Sequence, residues 1–352
     1  MSAIDLRSDT VTLPTKEMLD SIVEAKLGDD VSRDDPTVNQ LQEIAAQRFG
    51  AEAALLATSG TMGNLLAVMT HCCPGDEVIL EAEAHLYFYE VGGLSAVAGA
   101  APRLIKGTHG IFTGQQVREA VRGNDLHFPR SRLLAIENTH NRAGGTVWTP
   151  AQVAEAAEAA HDLGMKVHID GARIFNAAVA LDVPVSEYMK HVDSIQFCLS
   201  KGLSCPVGSL LVGDLEFIEA ARKKRKMLGG GMRQAGIIAA PGIVALNTMV
   251  SRLKEDHDNA KHLARSLSIF DGLKIDLSTV QTNIVVMNIA GTGMTPQQFQ
   301  ARAKERGLLV STFGPQLVRM VTHHGISRED VDRAVRAVED VLFPCTSGAC
   351  TI

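Results

Sequence analysis

The sequence predicts an α/β fold: a mostly parallel sheet sandwiched by helices, followed by a smaller C-terminal α/β domain. Two observations carry this. Between about Ala53 and Val212 short apolar runs alternate with helical patterns, as expected of parallel strands joined by helical crossovers. After the glycine-rich stretch Gly229–Gly231 the pattern changes to a long helical region, then to strand and helix runs closed by a last helix. The 352 residues, 45% of them hydrophobic, suffice for a large core and a small one.

In chain order the candidate strands are Ala53–Ala57, Glu77–Leu80, Arg132–Ile136, Lys166–Ile169, Ser194–Cys198 and Gly208–Val212. A helix is expected over Met62–Met69. Thr149 to Leu163 is alanine-rich with Pro150 in its first turn, where a missing N–H breaks no helical bond. From the glycine stretch to about Leu267, apolar residues recur at helical spacing with charges on the other face. Lys274–Leu277 and Asn283–Asn288 then read as strands, Thr295–Arg306 as a helix, Gln316–Val321 as a strand and Arg328–Val341 as the closing helix. The expected division is 1–243, an N-terminal arm and large domain, and 244–352, the small domain.

The net charge of -6 is spread along the chain, and the one dense basic run, Arg222 to Lys226, lies in an amphipathic segment, so nucleic acid is not an expected partner. Asp5, Arg7 and Asp9 give the N-terminus neither the order of a signal peptide nor the acid-poor character of a transit peptide. No apolar run reaches the about 20 residues of a membrane span. A cytoplasmic protein without membrane association is expected. Cys72, Cys73, Cys198, Cys205, Cys345 and Cys350 form no CxxC pair, and read as reduced core thiols, or tail thiols for Cys345 and Cys350. No metal centre is expected.

In open α/β sheets ligands collect beyond the carboxyl ends of the strands, so the residues just after each predicted strand are the candidates. Ser59, Gly60 and Thr61 open a helix whose free amides suit a phosphate, or they simply cap an ordinary turn. His85 follows the second strand, where its ring could cover a flat aromatic cofactor or pack on Tyr87, Phe88 and Tyr89. Asp170 and Arg173 flank Gly171 after Lys166–Ile169, as site residues or as a structural pair. Lys201 follows Ser194–Cys198 among apolar and small neighbours. Burial would make its amine available as a nucleophile at neutral pH; a snorkelling surface lysine is the alternative. Together these residues offer what pyridoxal phosphate needs: Ser59–Thr61 for the phosphate, Lys201 for the aldehyde, Asp170 for the ring nitrogen and His85 for the ring face.

The motifs Asp5-Leu6-Arg7-Ser8-Asp9-Thr10, Glu137-Asn138-Thr139-His140-Asn141, His168-Ile169-Asp170-Gly171-Ala172-Arg173, Ser200-Lys201-Gly202 and Arg319-Met320-Val321-Thr322-His323 occur in order. With them the chain resembles the L-threonine aldolase family of aspartate-aminotransferase-like enzymes along nearly its whole length. The resemblance implies a seven-stranded fold type I sheet and pyridoxal 5'-phosphate. It also implies aldol cleavage of threonine, allo-threonine or related β-hydroxy-α-amino acids to glycine and an aldehyde. Ser8, Arg173 and Arg319 would bind the substrate carboxylate, and His85 and His127 would surround its β-hydroxyl. Arg233 and Lys226 would approach the phosphate of a neighbouring subunit in a homodimer or tetramer, or serve as interface charges. One departure is Ser32-Arg33, where the family usually has Tyr-Gly; it bears on substrate preference. The competing readings are another lyase of this fold, eliminating at Cβ or transferring a hydroxymethyl group, and a non-catalytic binding protein. A dinucleotide site is not indicated, since no GxGxxG follows an early strand with a suitably spaced acid.

Overall fold

The computed structural model describes residues 3–343. Its strands are β1 (Ile4–Asp5), β2 (Ala53–Ala57), β3 (Glu77–Glu81), β4 (Ala101–Ile105), β5 (Ser131–Glu137), β6 (Lys166–Asp170), β7 (Ser194–Cys198), β8 (Ser209–Gly213), β9 (Ile284–Asn288), β10 (Leu308–Leu309), β11 (Ser311–Gly314) and β12 (Leu317–Val321). Strands β2 to β8 form one seven-stranded sheet in the order β2-β8-β7-β6-β5-β3-β4. Only β8 runs against its neighbours. The carboxyl ends of β2, β3, β5, β6 and β7 therefore meet at one edge.

All six expected strands of this sheet form. The one not foreseen, β4, reads Ala-Pro-Arg-Leu-Ile and is only partly buried. It lies at the sheet's end, where Pro102 removes no needed ladder donor. The strands β3, β7 and β8 are buried throughout; β3 and β8 accordingly carry apolar runs, whereas β7 alternates and buries the polar Ser194 and Gln196 as well.

One core extends from Met18 to Leu253 and includes Phe49, Trp148, Phe175 and Phe197. A second gathers Leu263, Val285, Phe299, Met320 and Val338, and with them Ile4 and Leu6 from the chain's start. Strand β1 pairs in parallel with β10, while β11, β12 and β9 form an antiparallel sheet. Position 243 falls inside the helix Gly236–Thr248, whose Ala239, Ala245 and Leu246 belong to the first core.

Two expectations need correction. Lys274–Leu277 is not a strand: only Lys274 bridges to Asn288, because Asp276 accepts from the amide and hydroxyl of Ser278 and turns the chain. The amphipathic basic run sends one residue inward, Arg225, which is 2% exposed and bonded to Asp30 at 2.7 Å and to the Leu56 carbonyl at 2.8 Å. Of the cysteines Cys72, Cys198 and Cys205 are buried but Cys73 is exposed; Cys345 and Cys350 lie outside the described residues. No single helix among the described residues is long and apolar enough to cross a membrane.

Candidate active site

The turn after β2 starts the helix Gly60–His71, with Ser59 as its cap: the Ser59 hydroxyl accepts from the Met62 amide at 3.2 Å. The amides of Gly60 and Thr61 have no carbonyl four residues back within the helix, so this end carries free donors and positive potential. Gly60 is needed for close approach, because a Cβ there would stand 2.8 Å from Cys198 Sγ and 3.1 Å from Gln196 Nε2 of β7.

Asp170 ends β6 and is 3% exposed. Its two oxygens accept from the Ala172 amide at 3.1 Å and from Asn64 Nδ2 at 2.9 Å. The same Asn64 nitrogen donates to Glu90 at 2.8 Å, and Glu90 in turn lies 3.0 Å from His85 Nδ1. Burial and the charge of Asp170 raise the pKa of Glu90. Burial lowers that of His85, but the bond to Glu90 and the charge of Asp170 outweigh it and leave it raised. The ligand atoms of His85, Glu90 and Asp170 lie within 4.8 Å of one another, a spacing that suits a cation; Asn64, donating to both carboxylates, accounts for the closeness without one.

Lys201 follows β7 in a tight turn in which the Ser204 amide donates to its carbonyl at 2.8 Å. It is half-buried rather than enclosed, while Gly202, Leu203 and Cys205 around it are buried. Two cavities meet at this residue. The smaller, about 150 Å³, is lined by Gly60, Thr61, Asn64, His85, Asp170, Gln196 and Lys201. The larger, about 320 Å³, is lined by Ser8, His85, Tyr89, Asn141, Arg173, Phe313 and Arg319, and again by Lys201. His85 and Lys201 thus belong to both.

The larger cavity is cationic at one end. Arg173 is paired in a buried fork with Asp9, not with Asp170, which overturns the structural pair considered from the sequence. Arg319, on β12, donates from Nη1 to Asn141 Oδ1 at 2.8 Å and from Nη2 to the Arg7 carbonyl at 3.2 Å. Burial, then the nearby Arg173, lower its pKa to about 10, so it stays charged at neutral pH. The Ser8 hydroxyl accepts from the Thr10 amide.

Four candidates do not line these cavities. Ser59 caps the helix Gly60–His71 next to the smaller one, its hydroxyl turned to the Met62 amide. His127 sits on the loop between the helix Gly114–Ala120 and β5, its side chain 82% exposed and 2.7 Å from Asp125. Arg233 pairs with Asp29 at 2.8 Å and Lys226 is exposed, so both stand at the surface of their own chain. Ser32 and Arg33 line neither cavity. Arg33 has φ +66°, a left-handed conformation that glycine adopts without strain, and its guanidinium pairs with Glu219.

Sequence reading missed Asn64, Glu90 and Asp9. For Asn64 a signal existed, because it stands one helical turn after Thr61. The chemistry available is a phosphate-type cradle, a carboxylate, an imidazole and an amine around one cavity, with paired guanidiniums in the next. The smaller cavity also contains an unmet acceptor: Gln196 Oε1 is buried without a hydrogen-bond partner, an atom that a bound group with a donor could satisfy.

A seven-stranded sheet with a lysine after β7, a carboxylate at the end of β6 and a small antiparallel unit beside it defines a fold type I enzyme. Solved structures of this shape include threonine aldolase from Leishmania major (TM-score 0.82, 16% identity, 96% of this chain and 99% of that one). Aspartate aminotransferase from Rhizobium meliloti is another (TM-score 0.70, 16% identity, 97% and 91%). Residues 5–290 match the beta-eliminating lyase family. Among curated relatives, low-specificity L-threonine aldolase 1 of Arabidopsis thaliana is 42% identical over 97% of both chains. Low specificity L-threonine aldolase of Escherichia coli K12 is 43% identical over 93% of this chain and 96% of its own. The chain belongs to the beta-eliminating lyase family, among the threonine aldolases.

Proposed function

We propose that this chain is a pyridoxal-phosphate-dependent lyase that cleaves L-threonine, L-allo-threonine and related β-hydroxy-α-amino acids to glycine and an aldehyde. The observation that carries the reading is the position of His85 and Lys201 on both cavities, where a cofactor in the smaller and an amino acid in the larger would meet. The identity of its relatives supports the same reaction.

The smaller cavity fits the cofactor by donor set: Ser59, Gly60 and Thr61 would hold the phosphate, Asp170 the ring nitrogen, Lys201 the aldehyde, and His85 would cover the ring. When bound, the cofactor supplies an electron sink for the pair left at Cα. Arg173, Arg319 and Ser8 bind the substrate carboxylate, and this clamp sets which bond at Cα stands in the reactive direction. His85 donates Nδ1–H to Glu90, which leaves Nε2 to take the β-hydroxyl proton as the Cα–Cβ bond breaks. Lys201 is the amine available to return a proton to Cα. His127 enters only if its loop folds over the cavity. Arg233 and Lys226 of a second copy would reach the phosphate subsite in a homodimer or tetramer.

The test is visible absorption of the protein with pyridoxal phosphate, before and after L-threonine and L-allo-threonine, with acetaldehyde assayed in parallel for wild type and Lys201→Ala. A cofactor band lost in the variant, with aldehyde released by wild type, is the expected result. 2-Oxobutanoate and ammonia in place of aldehyde and glycine would move the chain to the β-eliminating lyases. Absence of any band would overturn the cofactor assignment.

A further inference from the structure

A continuous line of buried hydrogen bonds runs away from Asp170 beneath the helix Gly60–His71. Asn64 Oδ1 lies 3.2 Å from His168 Nε2, His168 Nδ1 lies 2.9 Å from Ser194 Oγ, and Ser194 Oγ lies 2.8 Å from His71 Nε2. Asn64, His168 and Ser194 are at most 1% exposed. Asn64 and His71 stand two turns apart on one helix, while His168 and Ser194 are opposed on β6 and β7, so each bond of the line joins two different rigid elements.

The direction of every bond in the line follows from its carboxylate end. The atom of Asn64 that faces Asp170 and Glu90 meets one oxygen of each, and two acceptors demand that it be the nitrogen. Oδ1 must then face His168, so Nε2 of that ring carries the proton and Nδ1 is bare. The Ser194 hydroxyl donates to Nδ1 and accepts from His71 Nε2–H. All donors point toward the carboxylates. Burial keeps the His168 imidazole neutral, with a pKa lowered to about 4, and burial followed by the nearby His168 lowers that of His71 to about 3.

We infer that His168, held by Ser194 and His71, locks the Asn64 amide with its two N–H groups on Asp170 and Glu90, and is a positioning residue for the carboxylate that receives the cofactor's ring nitrogen. This rests on the cofactor reading above. Without the N–H of His168, the amide loses the acceptor-side bond that fixes its orientation. A flipped amide would place its oxygen against two carboxylates. Asp170 would then lose the N–H that fixes one of its oxygens, and with it its aligned hold on a cationic ring nitrogen.

Two measurements test this. In the cofactor-free protein, ¹⁵N spectra of labelled histidine should show His168 as the neutral Nε2–H tautomer at neutral pH. The Nδ1–H tautomer or a charged ring would overturn the inference. Second, affinity for pyridoxal phosphate is compared for wild type, His168→Phe, His168→Gln and Ser194→Ala, with circular dichroism as the check of fold. His168→Phe should weaken binding about tenfold or more, the size expected for losing control of one charge-assisted hydrogen bond. His168→Gln, which can keep a side-chain N–H, should recover most of the affinity, and Ser194→Ala should fall between. Wild-type affinity in a folded His168→Phe, or equal weakness in folded Gln and Phe variants, overturns the inference. Should the Phe variant not fold, unchanged affinity in Ser194→Ala does so. Failure of wild type to take up the cofactor counts against the cofactor reading, while the tautomer judges His168 by itself.

Discussion

Arg173 Nε and Nη2 each lie 2.6 Å from an oxygen of Asp9, and both side chains are buried. Asp9 also accepts from Asn283 Nδ2 at 3.2 Å. This carboxylate from the chain's start therefore joins the loop after β6 to the residue just before β9. A guanidinium has N–H groups to spare after a fork of this kind, and Arg173 keeps them for the larger cavity. Asp9→Asn is expected to raise KM for threonine at least about tenfold with a smaller change in kcat, and to cost ~3–5 kcal/mol in stability as a buried cation loses its partner. Steady-state kinetics and urea unfolding check it; an unchanged KM would remove Asp9 from substrate binding.

What was legible in the sequence follows from what the chemistry forces into short range. Lys201, Asp170, His85 and Ser59 sit at or within a few residues of the carboxyl ends of strands, so finding the strands also found them. The partners that set their states carry no strand-end signal: Glu90 lies on the turn just beyond the short helix His85–Phe88, Asn64 is inside a helix and Asp9 comes from the N-terminal segment. The pairing of Asn64 with Asp170 and of Asp9 with Arg173, each over more than a hundred residues, leaves no periodic trace. Strand β4 escaped for a related reason, since an edge strand carrying a proline lacks the apolar run that marks its buried neighbours.

Glu90 bonds to His85 Nδ1 and, with Asp170, raises the pKa of that imidazole against the opposing effect of burial. His85 acts as a base only when unprotonated, so activity should fail on the acid side as pH drops through its raised pKa. Glu90→Gln removes the charge but keeps an acceptor for Nδ1–H. The acid limb of kcat/KM is expected to move to lower pH in this variant, with cofactor still bound. A limb that stays in place would show that some group other than His85 sets it.

Arg319 stands with its guanidinium 4.8 Å from the Phe313 ring centroid and bonded to Asn141, a flat arrangement that lysine cannot copy. Arg319→Lys should raise KM for threonine by about ten- to a hundredfold, the loss expected when a bidentate contact becomes a single charge contact. Equal kinetics would exclude Arg319 from carboxylate binding.

His127 is 82% exposed and its contact is with Asp125, two residues away on the same loop. His127→Ala is expected to leave kcat within about threefold of wild type, the range of a substitution that touches no reacting atom. A larger loss with cofactor affinity unchanged would place that loop over the cavity during turnover.

The buried line of imidazoles also predicts how the protein responds to acid. His168, held down to about 4 by burial, titrates near 6.5 in the unfolded chain. Between these values the unfolded state binds the proton and the folded state does not, so stability is lost as pH falls through this window. Asp256 works in the opposite sense, because burial raises its pKa to about 6; the folded state keeps that proton longer than the unfolded one. The comparison must therefore hold Asp256 constant, which His168→Gln does. Between pH 7 and pH 5 wild type should lose ~2 kcal/mol more than the variant in urea unfolding, as expected for about 1.5 pH units of unmatched protonation at one site. Equal losses would mean that His168 takes up its proton within the folded protein, and a charged His168 would then have to sit beside Asn64 and Ser194 with both ring nitrogens donating.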